Sequence, residues 1–383
     1  MSAEPRNAHR ILIVRLSALG DVVHVLPLLD ALRRARPDAH IGWLVEEACS
    51  SLLAGHPQID RLWIAPRRLS ERWLRRGRVG AVAGLWRPLL RELRAARYEV
   101  SIDAQCNLRS SLLARLSGAP RRVGFAPPFT KEQAHWLLTD RVAPPPRKQL
   151  KVERNLELLR PFGIDGRGAR ARLAIPEVAR ETARGVRASL GAATAVALHP
   201  GVSDFGGFKR WAPESYAALA RRLYAEGGAR CIVTWGPGER DLAQGIARDA
   251  DAAAEVAPET SSILDLAALF EACDAVVGGD TGPVHLAAAL GAPVVALYGP
   301  KDPAVYAPWN GRTGAAATTV WKRVHCSPCR LRRCDNVICM PAIQVEEVAA
   351  AVWDTLRSES ALPSVSLAEP GGGPARASAC ETR

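Results

Sequence analysis

The sequence predicts an α/β protein of two doubly wound, parallel-sheet domains that face each other across a cleft. The chain has 383 residues, which is long for one ordinary domain. Short buried strands alternate with amphipathic helices in two consecutive runs, which a Gly- and Arg-rich stretch at 163–171 separates. We therefore expect domains at 1–170 and 171–343, a C-terminal helix at 344–358 and a disordered tail at 359–383.

The first run begins with the apolar segment ILIVRL at 11–16, which is typical of a buried parallel strand. A tight loop at 17–21 and one helix at 22–36 follow. The remaining strands are predicted at 40–45, 61–65, 98–103 and 122–125, and the remaining helices at 46–54, 66–97 (Arg-rich, with a glycine-containing break), 108–116 and 150–162.

The second run repeats the alternation, and its strands are equally short and apolar. The predicted strands are 194–198, 230–234, 276–279 and 294–298, and the predicted helices are 213–225, 239–248, 263–272, one from about 283, and 344–356. Polar residues that follow these strands are expected at the carboxyl edges of the sheets, where such folds bind ligands.

The net charge of +12 is uneven. Residues 1–172 carry 31 Lys+Arg against 16 Asp+Glu, or +15, and the other 211 residues carry 20 against 23, or −3. A basic first domain indicates an anionic partner: a phosphorylated lipid surface, an acidic glycan or nucleic acid. The alternative is a solvated face rich in arginine.

Composition also indicates the compartment. No apolar run reaches the length of a membrane span, and residues 1–10 lack the apolar stretch of a signal peptide. Several of the nine cysteines are scattered through predicted core elements, which is typical of a reducing compartment. We expect a cytoplasmic protein.

Three polar positions follow predicted strands and could carry chemistry. Asp21, after the first strand, could be a general base, or it could only balance a helix dipole. In the loop HPGVSDFGGFKRW, Gly201 and Val202 begin a phosphate-cradling stretch and Lys209 supplies a positive charge, unless the loop is simply a mobile surface segment. Glu239, in TWGPGERD, opens a helix and could bind ribose hydroxyls or only cap that helix.

The stretch VVGGDTGPVHLAAALGAPVVALYGP, 276–300, is the most informative. It combines a buried strand, a turn through Asp280, Thr281 and Gly282, and a helix start, with His285 one turn further on. Free N–H groups at a helix N-terminus favour an anion such as a pyrophosphate.

Four cysteines lie within fourteen residues in the pattern C-x2-C-x4-C-x4-C. They are Cys326, Cys329, Cys334 and Cys339. Such a cluster could hold zinc or an iron–sulfur centre, although the spacing differs from that of a zinc ribbon. The alternative is a loop of reduced thiols.

Together, ILIVRLSALGDVVHVLP, HPGVSDFGGFKRWAPESYAALARRL, WGPGERD and GGDTGPVHLAAALGAPVVALYGPKDP resemble the ADP-heptose:lipopolysaccharide heptosyltransferases of glycosyltransferase family 9, and most of all the heptosyltransferase I group. The resemblance extends to about residue 356. It implies a GT-B fold, whose C-terminal helix crosses back to the first domain. It also implies an inverting, metal-independent transfer of heptose from ADP-heptose, with no cofactor, to a Kdo-lipid A acceptor of the lipopolysaccharide core.

The resemblance also implies roles for residues. Asp21 would deprotonate the acceptor hydroxyl, Lys209 would contact the donor diphosphate, and Glu239 would contact the adenosine ribose. The diphosphate and the heptose would also contact Asp280, Thr281, Gly282 and His285. The basic first domain would contact the anionic cytoplasmic face of the inner membrane peripherally, with the Arg-rich segment 67–97 and its tryptophans as the interfacial element.

Three other functions fit parts of the sequence. A family relative could use a different acceptor or nucleotide sugar. A catalytically silent sugar-nucleotide binder would not need Asp21. A nucleic-acid-binding protein would explain the basic half, but no helix-turn-helix, zinc-finger or RNA-platform signature appears, so we expect no nucleic acid partner.

Overall fold

A computed structural model describes residues 9–143, 148–202, 206–329, 331 and 333–360 of the chain. It confirms the predicted fold class, because it contains two six-stranded sheets in which every neighbouring pair of strands is parallel. Helices flank both sheets, and the arrangement is GT-B. The predicted disordered tail lies outside the described residues from 361 onward.

The described part of the first domain contains six strands and seven α-helices. The strands are β1 (Arg10–Val14), β2 (His40–Glu46), β3 (Arg61–Ala65), β4 (Val100–Asp103), β5 (Arg121–Phe125) and β6 (Asp140–Val142). The helices are α1 (Leu19–Val23), α2 (Leu26–Ala35), α3 (Glu47–Leu53), α4 (Arg67–Leu74), α5 (Val79–Ala95), α6 (Leu108–Leu116) and α7 (Lys151–Leu156), with 3-10 helices at Ala134–Leu137 and Glu157–Phe162.

The second domain repeats this plan. Its strands are β7 (Ala195–His199), β8 (Arg230–Val233), β9 (Ala254–Val256), β10 (Ala275–Gly279), β11 (Val294–Tyr298) and β12 (Thr318–Trp321). Its helices are α8 (Glu177–Ser189), α9 (Pro213–Gly227), α10 (Arg240–Ala250), α11 (Ile263–Ala272), α12 (Gly282–Ala289), α13 (Pro303–Tyr306) and α14 (Val345–Ser360), with 3-10 helices at Gly207–Lys209 and Asp251–Ala253.

Both sheets have the same strand order. The first is β3-β2-β1-β4-β5-β6, and the second is β9-β8-β7-β10-β11-β12. The direction of the order reverses between β1 and β4 in one sheet and between β7 and β10 in the other. A ligand binds beyond the carboxyl ends of the strands at such a reversal. Asp21 follows β1 and Asp280 follows β10, so both candidate residues lie at a reversal point.

The central strands are apolar because helices cover both of their faces. Leu12, Ile13 and Val14 in β1, and Val276 and Val277 in β10, are completely buried. These strands form rigid supports from which the loops at their carboxyl ends project into the cleft.

Two predicted helices are each divided in the structure. The sequence predicts one helix at 22–36, but α1 ends at Val23 and α2 begins at Leu26, with Pro27 in its first turn. A proline at 27 cannot donate to the carbonyl of residue 23, so one continuous helix is not possible. Asp21 consequently lies inside α1 and not in the loop before it. The predicted helix at 150–162 is α7 followed by a 3-10 helix that contains Pro161.

The C-terminal helix corrects a prediction. The resemblance implies that it crosses back to the first domain, but the buried face of α14 packs into the core of the second domain through Val348, Ala349 and Val352. Trp353 Nε1 also donates to Glu226 Oε2 of α9 at 2.8 Å. The apolar stripe of α14 therefore finds its partner in the domain that precedes it in the chain.

Candidate active site

The carboxyl ends of the two sheets enclose a cleft of about 810 Å³. Both domains line it. The first contributes Ala18, Leu19, Gly20, Ala48, Ser51 and Arg68, and the second contributes the predicted donor residues Gly201, Val202, Lys209, Glu239, Asp280, Thr281 and Gly282. The structure therefore brings together seven of the predicted residues, from three loops of the second domain.

Next to this cleft, the first turns of α1 and α12 approach each other closely. A Cβ atom on Gly20 would lie 3.3 Å from Gly282 Cα, and a Cβ atom on Gly282 would lie 3.0 Å from Leu19 Cβ. A side chain at either position would therefore be tighter than an ordinary van der Waals contact, and glycine allows the two helices to approach closely. This contact holds Asp21 of α1 and His285 of α12 on either side of the domain junction.

Asp21 carries a carboxylate between two cations. Arg15 Nη2 lies 2.6 Å from its Oδ2, and Lys151 Nζ lies 2.7 Å from its Oδ1. Burial alone would raise the pKa of Asp21, but Arg15 and Lys151 outweigh burial and hold that pKa well below its usual value. Asp21 is therefore ionised and able to accept a proton.

Two histidines continue from Asp21 into the second domain. His24 Nδ1 lies 3.9 Å from Asp21 Oδ1, and His24 Nε2 lies 3.1 Å from His285 Nδ1. His285 Nε2 lies 3.1 Å from Asp280 Oδ1. Burial lowers the pKa of His24 to about 3, so this ring is neutral near pH 7.

The proton positions of this row are fixed only at its Asp280 end. Because a carboxylate only accepts, His285 Nε2–H donates to Asp280. The proton shared by His285 Nδ1 and His24 Nε2 can lie on either nitrogen, and its position decides whether His24 Nδ1 carries a proton. The row therefore connects Asp21 to Asp280 through two imidazole rings.

Asp280 ends the row and holds a cation. Its Oδ2 accepts from Lys209 Nζ at 2.5 Å, and its Oδ1 accepts from Tyr298 Oη at 3.4 Å. Burial would raise the pKa of Asp280, but His285 and Lys209 outweigh burial and lower it. The Lys209 ammonium is thus fixed close to the first turn of α12.

Thr281 precedes α12 as its N-cap residue, with extended backbone. Within the described part of the chain, its buried Oγ1 has no hydrogen-bond partner. This hydroxyl, the free amides of the first turn and Lys209 all offer positive or donor groups at the cleft, and together they suit a diphosphate.

Glu239 joins two loops that line the cleft. Its Oε1 accepts from Val202 N and its Oε2 from Gly236 N, both at 3.1 Å. A Cβ atom on Gly201 would lie 2.3 Å from Glu239 Oε2, so this carboxylate needs glycine there. Glu239 also begins α10 as its N-cap residue, where the sequence predicts it.

The sequence model of "Glycosyltransferase family 9 (heptosyltransferase)" matches residues 86–338, which is more than half of the chain. The chain belongs to glycosyltransferase family 9. It is 31% identical over 339 residues to lipopolysaccharide heptosyltransferase 1 of Pseudomonas aeruginosa, and this alignment covers 85% of this chain and 87% of that protein. It is also 31% identical over 298 residues to lipopolysaccharide heptosyltransferase 1 of Escherichia coli K12, in an alignment that covers 77% of this chain and 89% of that protein.

A solved structure of the family has the same architecture. The Escherichia coli heptosyltransferase WaaC with ADP superposes with a TM-score of 0.71 at 25% identity, and the match covers 90% of this chain and 99% of that one. The comparison supports the GT-B arrangement of this family 9 glycosyltransferase.

The site contains three residues to which the sequence assigned no catalytic role. Arg15 directly follows β1, His24 lies one turn after Asp21, and Lys151 begins α7. Lys151 is 130 residues from Asp21, so no spacing in the sequence could indicate their contact.

The four clustered cysteines of this family 9 chain lie between β12 and α14 and differ in exposure. Cys339 is buried, whereas Cys326 is exposed and Cys329 and Cys334 are half-buried, and all four are free thiols. Over the described ranges, no group of three or more His, Cys, Asp or Glu side chains is arranged to hold a metal ion.

Proposed function

We propose that this glycosyltransferase transfers heptose from ADP-heptose to a Kdo-lipid A acceptor, the heptosyltransferase I step of lipopolysaccharide core synthesis. One observation carries the proposal. An ionised carboxylate, Asp21, stands directly across the domain junction from an anion site made by Lys209 and the first turn of α12. The names of the two relatives and the ADP in the WaaC structure support this donor and this step.

The donor would place its diphosphate at α12. In the reaction the bond between the anomeric carbon and the phosphate oxygen breaks, and negative charge develops on the departing ADP. Lys209 and the backbone N–H groups of Gly282 and Val284 lie where they would stabilise that charge, so no metal is needed in this scheme. Asp280 would act mainly by holding Lys209 and His285, because an ionised carboxylate repels phosphate.

The acceptor would enter from the first domain. Its hydroxyl oxygen forms the new bond to the anomeric carbon from the face opposite the diphosphate, and its proton passes to Asp21 Oδ1 or Oδ2. Attack from the opposite face inverts the configuration at that carbon. Lys151 must loosen its contact with Asp21 for the hydroxyl to approach Oδ1.

The adenosine would lie against the two loops that Glu239 joins. Each carboxylate oxygen of Glu239 accepts one backbone N–H and keeps capacity for a second hydrogen bond. Ribose hydroxyls could fill that capacity, with Gly201 and Val202 alongside. Thr281, Gly282 and His285 would contact the diphosphate and heptose.

The acceptor's lipid places the proposed reaction at the cytoplasmic face of the inner membrane, with peripheral contact. The +15 charge of residues 1–172 would favour anionic headgroups there. Of the helices in the described residues, none is both long and apolar enough to cross a bilayer.

The experiment is a transfer assay with purified protein, ADP-, UDP- and GDP-linked sugars, and two acceptors, Kdo-lipid A and its heptosylated form. We expect ADP release with ADP-heptose and Kdo-lipid A, and a product heavier by one heptose in mass spectrometry. Transfer only to the heptosylated acceptor would reassign the step, and release with another nucleotide would reassign the donor. No transfer in any combination would contradict the proposal.

A further inference from the structure

Helix α6 has a mixed buried side and two leucines on its outer side. The buried side carries Leu113 and Ala114, and also Ser110 and Ser111, whose hydroxyls donate to Asp103 Oδ2 at 3.0 and 2.5 Å. Its outer side carries Leu108 and Leu112, which are 48% and 43% exposed. A surface helix normally buries leucine and exposes serine. Two leucines one turn apart on the outer face indicate an apolar partner outside the chain.

A third apolar side chain lies on the segment next to α6. Trp136 belongs to the 3-10 helix Ala134–Leu137, which contacts α6, and it is 72% exposed. A tryptophan is rarely left so open to water. Leu108, Leu112 and Trp136 are called the α6 patch below.

The α6 patch is held in place by its own segment. Leu108 N donates to Glu132 Oε2 at 3.2 Å, and Lys131 N donates to Cys106 O at 2.9 Å. Glu132 and Gln133 both adopt positive φ, at 55° and 57°. These contacts join the segment before Trp136 to the start of α6, so the two segments that carry the patch pack side by side.

Basic residues surround the patch. Residues 108–142 contain six Lys+Arg and two Asp+Glu, a net charge of +4. Arg115 continues the outer face of α6 one turn after Leu112, and Lys131 and Arg141 are also exposed. Apolar side chains inside a ring of cations match the interface of an anionic bilayer, which presents hydrocarbon beneath negative headgroups.

The patch begins at the edge of the sheet that carries Asp21. α6 follows β4, which is a neighbour of β1, so Leu108 at the start of α6 lies at the carboxyl edge of the sheet. Trp136 precedes β6, which is parallel to β5, so it lies toward the amino edge. The patch therefore runs along one side of the first domain, and a bilayer against that side would reach the Asp21 edge at Leu108.

We infer that the α6 patch docks the protein on an anionic lipid bilayer, with Leu108, Leu112 and Trp136 inserted at the headgroup boundary. This rests on the proposed lipid-linked acceptor. The Arg-rich segment at 67–97 contributes charge, but its tryptophans serve internal contacts: Trp86 Nε1 donates to Ser70 Oγ at 2.8 Å, and the Arg78 guanidinium covers the half-buried Trp73 ring.

The test is vesicle flotation of the full chain, with phosphatidylglycerol-containing vesicles and with phosphatidylcholine vesicles. Wild-type protein should float with the first and stay largely in solution with the second. The triple variant Leu108→Gln, Leu112→Gln, Trp136→Gln should lose about tenfold or more of its partitioning. The matched control is Val178→Gln with Tyr224→Gln, which changes side chains 68% and 46% exposed on the second domain and should float like wild type.

Unchanged flotation of the triple variant would overturn the inference. If the triple variant unfolds, Trp136→Gln alone should still reduce flotation severalfold, and no reduction would again overturn it. A wild-type dimer in sedimentation that the triple variant converts to a monomer, with flotation unaltered, would identify the patch as an interface between copies. Flotation needs no sugar transfer, so it separates this inference from the proposed reaction. A water-soluble, deacylated acceptor should be used equally well by wild type and triple variant.

Discussion

The buried His24 gives the structure a pH dependence that can be worked out. The ordinary pKa of a histidine is 6.5, and burial lowers the pKa of His24 to about 3 in the folded protein because it disfavours the charged ring. Below pH 6.5 the unfolded chain therefore binds a proton that the folded chain does not. Stability from this residue is complete above pH 6.5 and is lost as the pH falls toward 3. At pH 5, which is about 1.5 units below the pKa of the unfolded chain, His24 has lowered the free energy of unfolding by about 2 kcal/mol.

The perturbation is His24→Gln, which removes the titrating ring. We expect the difference in unfolding free energy between pH 7.5 and pH 5 to be smaller by about 2 kcal/mol in the variant than in wild type. Other buried histidines, such as His199, whose pKa is about 4, keep their contributions in both proteins. Urea unfolding at the two pH values measures the difference.

The control is His325→Gln, which replaces an exposed histidine in the second domain. It should leave the pH difference as in wild type. If His24→Gln also leaves that difference unchanged, His24 is not held neutral in the folded protein, and the hydrogen-bonded row from His24 to Asp280 is wrongly described.

Two further predictions concern the cations of the site. Lys209→Met should weaken ADP binding in calorimetry by about 10- to 100-fold, because a charge-assisted contact to the diphosphate is lost. The control Lys322→Met, which breaks an ion pair away from the cleft, should bind ADP like wild type. Equal ADP affinities of Lys209→Met and wild type would show that Lys209 is not part of the donor site. Lys151→Met should raise the pKa of Asp21 and move the acidic limb of the transfer-rate profile to higher pH, because one of its two neutralising partners is gone. The control Lys148→Met, which breaks an exposed ion pair with Asp302, should keep the acidic limb of the rate profile at its wild-type pH. If the limb also stays in place in Lys151→Met, Lys151 does not set the basicity of Asp21.

The sequence predicts the fold well because each buried strand is a short apolar run. Such a run indicates that both faces of the strand are buried, and it can be recognised without knowing which distant segments pack against it. The same reasoning places the second half of the site. Lys209, Glu239 and Asp280 each follow a strand of one sheet, and parallel strands bring their following loops to one edge.

What the sequence does not predict depends on contacts between distant segments. The pairing of Lys151 with Asp21 joins α7 to α1 across 130 residues. The division of the first helix could have been predicted, because Pro27 is visible in the sequence. The packing of α14 could not, because an apolar stripe shows that a helix has a partner and does not show which domain supplies it.

In the proposed reaction Asp21 removes the acceptor proton, and the second domain binds the donor independently of Asp21. Asp21→Asn keeps the size of the side chain and removes the base. With ADP-heptose and Kdo-lipid A, we expect the rate of ADP release to fall by about 10²- to 10⁴-fold, with the dissociation constant for ADP unchanged within about twofold. A variant that retains transfer within about tenfold of wild type would contradict the account.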